Sequence, residues 1–474
     1  MLVKLAAWEP DRAGLDTGLL TIARNAIPTT TGWGPLPSLS TYGSGALPAD
    51  CKGLCFAKTS AGAYQVYAGT STKLYKLISG TWTDYTRTVG GNYGVVAGNY
   101  WQFAQYDSTL IAVNGSDVAQ TIDIDGGATA FSALGGSPPI ARYVWTQGDF
   151  VFMADATDKR RFINSAFNNP AGWTVGTDLC DEFIMPDGGD ISGPAFLGEY
   201  GILMQSDGVA RRIIFQPGDP DAAFRVEKIE GIKGAVGGYT AVASGGKIFY
   251  LSEEGFYSMG PDGSNTPIGT QRVNTWFKAN TDQARVGYVL GVMDPGSTRV
   301  YWMCYASSAS TVYDTLIGYD YLLDRWFHAD GLQAEYGAAV AIPSVTLEGL
   351  NTPYPNLDTM TVTLDSREFQ GGRVTLAAIT SAGLLAFVSG PSLSATFQTA
   401  TYYINPGRRT FVDEVEPIGV WNSTSPSVRV GKQDRSTSTR VWTDTLTPSS
   451  VTGVCYPRAD ARYHSFELTT PAAG

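Results

Sequence analysis

The stretch Tyr64-Gln65-Val66-Tyr67-Ala68-Gly69, the turn Thr70–Lys73, then Leu74-Tyr75-Lys76-Leu77 and Gly80-Thr81-Trp82 decides the fold. Each run is short, aromatic or β-branched, and alternates apolar with polar positions. That is the pattern of half-buried strands, and the polar turn between them makes a hairpin. The shape recurs in Thr109–Gly115 with Val118–Ile124, in Gly148–Asp155 with Arg161–Ser165, and in Gly201–Gly208 with Ala210–Phe215. It recurs again in Gly246–Leu251 with Phe256–Met259, and in Arg299–Tyr305 with Thr315–Tyr319 and Asp324-Arg325-Trp326. Val66, Ile111, Val151, Ile202, Ile248 and Val300 anchor these units, each read as the first core strand. They stand about 40–50 residues apart, the period of a four-stranded propeller blade. One twisted sheet of four strands cannot bury both faces, whereas a ring of such sheets can. The expectation is an all-β protein with a β-propeller of about six blades over residues 55–331. A β-sandwich is the competing arrangement of the same hairpins.

Working outward, residues 1–54 read as an extended N-terminal arm. Pro28, Gly32, Gly34, Pro35, Pro37, Gly43, Gly45 and Pro48 punctuate it, so it must pair with a neighbour or be fixed onto the next domain. Residues 332–394 read as a connecting segment. Its part 340–370 is loop-like with three prolines, and Thr375–Ile379 with Leu384–Val388 offers an extra blade hairpin. The sequence leaves open whether six units close the ring or a seventh comes from the termini. Residues 395–474 hold longer alternating runs (Thr396–Ile404, Thr410–Ile418, Ser427–Lys432, Thr439–Thr443 and Tyr463–Thr469), expected to form a small antiparallel β-sandwich-like module. A short helical piece is expected within 271–284.

The 474 residues carry 33 Lys and Arg against 44 Asp and Glu, a net charge of −11. A protein that wraps nucleic acid needs a basic face, so that class is excluded. An acidic wall past which DNA slides is not excluded. With 12% aromatic and only 16% charged residues, the chain is not a disordered one. No apolar run reaches the roughly 18 residues of a membrane span, and the first apolar run is broken by Glu9 and Pro10, so no cleavable leader is expected. Cys51, Cys55, Cys180, Cys304 and Cys455 are odd in number and scattered, and no second pair completes a zinc site with Cys51 and Cys55. They read as reduced, buried thiols. His328 and His464 lie on distant segments, which argues against a histidine-based catalytic set or metal centre.

Asp123-Ile124-Asp125-Gly126-Gly127 opens like a calcium loop but lacks the third acidic residue and the distal Glu, and reads as a hairpin turn, as do Ser206-Asp207-Gly208 and Pro261-Asp262-Gly263. Asn164–Trp173 is similar to the Ser/Asp/Gly/Trp turn of sialidase propellers, where the turn is structural. A sialidase also needs three arginines on the substrate carboxylate, a Tyr–Glu pair and an acidic donor. Arg160-Arg161, Arg211-Arg212, Arg408-Arg409 and Glu199-Tyr200 are the available groups, and no spacing unites them. A phosphate-binding loop and a nucleophile elbow are both absent from the sequence. No catalytic, cofactor-binding or metal-binding residue is assigned, and no cofactor is expected.

Several segments together resemble the tail hub, or nozzle, of short-tailed bacteriophages, also called the packaged-DNA stabilisation protein. They are Trp8-Glu9-Pro10-Asp11, Gly32–Pro37, Tyr67–Thr70 with Lys73–Leu77, Gly148–Phe152 with Phe162–Ser165, Gly318-Tyr319-Asp320 with Arg325-Trp326, Asn405–Arg409 and Ala461–Phe466. The resemblance implies a non-enzymatic virion component of the phage tail, made in the host bacterial cytoplasm. It implies a homo-oligomer, a hexameric ring below the portal and adaptor proteins. Such a ring extends the DNA channel, retains packaged DNA until ejection and anchors fibres, spikes or a needle. DNA passes its lumen without specific binding, and no membrane anchoring is implied. The alternative from the residues alone is a carbohydrate-binding or sialidase-like propeller in host receptor recognition.

Overall fold

The computed structural model describes residues 1–197, 200–216, 218, 223–341, 374–420 and 425–472. Six four-stranded antiparallel sheets follow one another from Gly53 to Ala329, and they are the six blades read from the sequence. Their innermost strands are Gly53–Lys58, Gln102–Tyr106, Ala141–Gln147, Ile191–Leu197, Val242–Ser244 and Leu290–Met293. The anchors Val66, Ile111, Val151, Ile202, Ile248 and Val300 all lie on the second strand of their blade. Each unit therefore starts one strand earlier than the sequence suggested. The second strands stand out because blades cover them on both sides: Phe150–Asp155 is buried at every position, and Lys247–Ser252 at all but its first. Tight turns join inner to second strands. Gly245 and Gly246 take φ of +57° and +72°, the geometry of a two-residue hairpin turn that a side chain would strain.

A further four-stranded sheet stands between the sixth blade and the first. Ala334–Ala341, Val374–Thr380 and Leu385–Ser392 supply three strands, and Pro37–Thr41 of the N-terminal arm supplies the outermost. Its inner strand touches both Leu290–Met293 and Gly53–Lys58, so this sheet closes the ring. The hairpin expected at 375–388 is thus two strands of a seventh blade. The loop-like stretch 340–370 falls almost wholly outside the described residues.

The arm does more than extend. Leu20–Arg24 lies against the outer strand Arg325–Ala329 of the sixth blade, in parallel, and pairs antiparallel with Ala395–Thr399. Through it the sixth sheet runs on into the C-terminal module, in the order Ala395–Thr399, Tyr463–Thr470, Ser427–Gln433, Val441–Trp442, giving nine strands in all. A two-stranded ribbon, Thr410–Val412 with Ala459–Ala461, touches this sheet at Ser427–Gln433. Arg429 ties the module together: its guanidinium pairs both carboxylate oxygens of Glu467 at 2.6 and 3.0 Å and lies 4.6 Å from the Trp442 ring. The expected short helix is Asn274–Asn280. None of the described helices is long and apolar enough to cross a membrane.

Candidate functional site

The axis of the propeller is the first place to look, because blade loops converge there. It is filled at one level by tyrosines. Tyr100, Tyr143, Tyr239, Tyr313 and Tyr336 are all buried, and they come from five separate segments. The Tyr100 hydroxyl donates to that of Tyr313 at 2.6 Å, which in turn donates to the Tyr288 carbonyl at 2.7 Å. The Tyr100 backbone N–H donates to the Tyr239 hydroxyl at 3.2 Å, and the two rings meet edge to face at 4.9 Å. Tyr336 and Tyr143 add ring contacts at 5.6 and 5.8 Å. Burial pushes all five phenols above their ordinary range, so the cluster stays neutral. Beside it opens a cavity of about 330 Å³, lined chiefly by Leu54, Gln102, Tyr239, Leu290, Met293 and Tyr336. The lining holds no carboxylate, amine, guanidinium or imidazole. Such a space offers apolar contact and a few hydrogen bonds to a small guest. Sequence reading missed the tyrosine cluster, and the available signal was slight: Tyr100, Tyr143 and Tyr239 each fall at or just before an inner strand.

The residues singled out from sequence disperse. Arg161 pairs with Asp155 at 2.6 Å and Glu182 at 3.0 Å in the third blade. Arg211 is buried in the fourth, bonded to Gln205 at 2.7 Å and to Asp187. Arg212 lies over the Tyr200 ring at 5.4 Å, and Arg409 joins Asp434 and Asp460 in the module. Glu199 lies outside the described residues. Asn164–Trp173 acts as a clamp: the Ser165 hydroxyl accepts from the Val151 N–H at 3.0 Å, and the Trp173 indole donates to the Pro170 carbonyl at 2.9 Å. Asp123 accepts from the Asp125 N–H at 3.0 Å, a turn contact, and Asp125 accepts from the Ser60 N–H of the first blade at 3.1 Å. All five thiols are unpaired, and burial pushes Cys51 and Cys55 up to about 12. Among the described residues, no three His, Cys, Asp or Glu side chains gather to hold a metal ion.

The Trp8–Asp11 segment is a latch. Trp8 is fully buried and its indole donates to the Thr21 carbonyl at 3.1 Å. Glu9 accepts from Arg272 at 2.8 Å and from Arg12 at 2.9 Å. Asp11 accepts from the N–H groups of Thr275 and Trp276 at 2.7 and 2.9 Å, capping the helix Asn274–Asn280 from a distant part of the chain. Arg272 also reaches Asp324 at 2.7 Å, so the arm, the helix and the sixth blade meet at one guanidinium.

The C-terminal module presents a wide open groove. It has a volume of about 1330 Å³ and runs between residues 1–6, Trp33 and the segment 411–420. Phe411, Ile418 and Val420 are 59%, 78% and 98% exposed there, far more apolar exposure than folding alone requires. Asp413, Glu414 and Glu416 alternate with them.

No family model and no curated protein matches the chain. Solved structures do, through architecture alone. YCF48 bound to a D1 peptide matches at 10% identity and TM-score 0.41, over 74% of this chain and 97% of that one. A chain of the mitotic checkpoint complex matches at 10% and 0.41, over 76% and 96%. BamB from Moraxella catarrhalis matches at 10% and 0.37, over 74% and 97%.

Proposed function

We propose that the chain is a structural virion protein: a tail hub or nozzle subunit that assembles as a ring below portal and adaptor proteins, continues the DNA channel and anchors fibres or spikes. The observation that carries this reading is the module built onto the sixth blade. A nine-stranded sheet holds it rigidly to the propeller, and it exposes Phe411, Ile418 and Val420 amid charged side chains. Surfaces of that composition fit protein neighbours. The tyrosine-filled axis supports a second element of the reading: DNA would pass through the lumen between subunits, and each propeller serves as a solid wall segment. The net charge of −11 suits a wall that DNA passes without sticking.

Mass spectrometry of purified virions tests this reading. The chain is expected in stoichiometric amount beside portal-type proteins, and its absence from particles would sink the reading. The second reading, binding of a receptor glycan, draws support from the axial cavity with Gln102, Tyr239 and Tyr336 on its wall. Retention on a glycan array, lost on Tyr336→Ala, would favour it.

A further inference from the structure

Two sets of charged side chains in the C-terminal module find no counter-ion among the described residues, and the sets are opposite in sign. Asp413, Glu414 and Glu416 are exposed and make no ion pair with a described residue. At the other end of the ribbon Arg408 and Arg462, with Arg435 just past Ser427–Gln433, are exposed and likewise make no ion pair with a described residue. They are chain neighbours of one ion-pair set: Arg408 adjoins Arg409, Arg435 adjoins Asp434, which holds Arg409 at 2.6 Å, and Arg462 lies two residues past Asp460, which holds Arg409 at 3.3 Å. Thr410 faces Ala461, Val412 faces Ala459 and Val415 bridges Cys455. The ribbon thus runs from the arginine tip at Arg408 to the far end of the acidic strip at Glu416 over at most roughly 26 Å at about 3.3 Å per residue. Gly407, with φ of +84°, turns the chain just ahead of Arg408.

The acidic strip is also one wall of the groove described above, opposite residues 1–6. We propose that the arginine tip of one copy, Arg408 with Arg435 and Arg462, seats in this groove of a second copy, against Asp413, Glu414 and Glu416. The proposal rests on the ring reading and names the faces that would build it. Opposite charges left unpaired at the two ends of one rigid element are complementary between copies. Phe411, Ile418 and Val420 supply the apolar centre that a stable contact needs. Guanidinium groups suit the task, since their planar fork matches a carboxylate. A contact between two different patches of identical chains is head-to-tail, and closes into a ring when its rotation allows.

The test uses the full-length chain in sedimentation velocity and native mass spectrometry. Wild type is expected to self-associate at low ionic strength and to dissociate as salt rises. The variants Glu414→Lys with Glu416→Lys, and Arg408→Glu with Arg462→Glu, should each weaken association by at least about tenfold, since close charge pairs across an interface set its stability. Mixing the two variant proteins should restore association, because every contact in an alternating ring then joins opposite charges. The four positions are exposed, and unchanged melting temperatures would show that the variants fold. Association indifferent to both reversals overturns the interface while leaving the ring reading to the virion measurement. A wild type that stays monomeric at every concentration overturns it too. So does an arginine reversal that abolishes binding to a short random-sequence DNA duplex and spares association, which would assign the tip to phosphate. Absence from virions would instead overturn the ring reading, whatever the chain does alone.

Discussion

His328 lies between two indoles, 4.6 Å from the Trp8 ring and 4.7 Å from that of Trp276. Burial lowers its pKa from 6.5 to about 3, with Asp330 raising it slightly and Arg24 lowering it. The folded chain therefore resists protonation that the unfolded chain accepts. Stability from this group is complete above pH 6.5 and is lost as pH falls toward 3. Thermal melting at pH 7.5 and 4.5 should show the loss, and His328→Gln should narrow the gap between the two melting temperatures. An unchanged gap would show that other groups govern acid sensitivity. The neighbouring latch has a different logic. Arg272→Ala leaves Glu9, which is 7% exposed, without its inter-segment partner. Glu9 keeps the more exposed Arg12 at 2.9 Å, so the change should cost about 2 kcal/mol, the scale of one hydrogen bond to a charged group. Asp11→Ala removes only a helix cap and should cost about 1 kcal/mol. Urea denaturation would rank the two, and an equal effect would mean that the ion pair carries no more than the cap.

Strands divide into those that sequence reveals and those that it conceals. Second strands such as Phe150–Asp155 are buried on both faces, so they read as near-continuous apolar runs. Inner strands such as Gln102–Tyr106 have small or polar residues beside the axis and gave no signal, which shifted the phase of all six units by one strand. The seventh blade was harder still. Residues 342–373 separate its first two strands, which breaks the period, and its outermost strand comes from the opposite end of the chain. Pairing between Leu39 and Val388 is a tertiary fact with no local trace. Function was less legible than fold for the same reason: the tyrosines on the axis come together from five segments, and the free charges of the ribbon matter only after their neighbours are known. Pro37–Thr41 also has a measurable role. Ser40→Pro should remove a ladder hydrogen bond, since Ser40 faces Phe387 two residues before the Tyr42 N–H that donates to the Leu385 carbonyl, and should cost about 1 kcal/mol or more. It would leave Leu385–Ser392 as an unpaired edge open to aggregation. Limited proteolysis should then cut first between the seventh blade and the first, and a cleavage pattern like that of wild type would show that the arm strand does not hold the ring shut.

At the scale of the molecule, the propeller and the module form one body. The sixth sheet is continuous from the axis to Val441–Trp442, and Leu20–Arg24 is the strand on which the two halves join. Force applied to the module would pass through backbone hydrogen bonds into the sixth blade. Both seams depend on the arm, at Pro37–Thr41 and at Leu20–Arg24. That dependence has a consequence for synthesis. The arm leaves the ribosome before the blades, yet its partners Leu385–Ser392 and Ala395–Thr399 emerge more than three hundred residues later. Until then the blades form an open chain, and non-local pairing of this kind is slow. Closure waits for both partners, so a chain cut short before Leu385 can form neither seam.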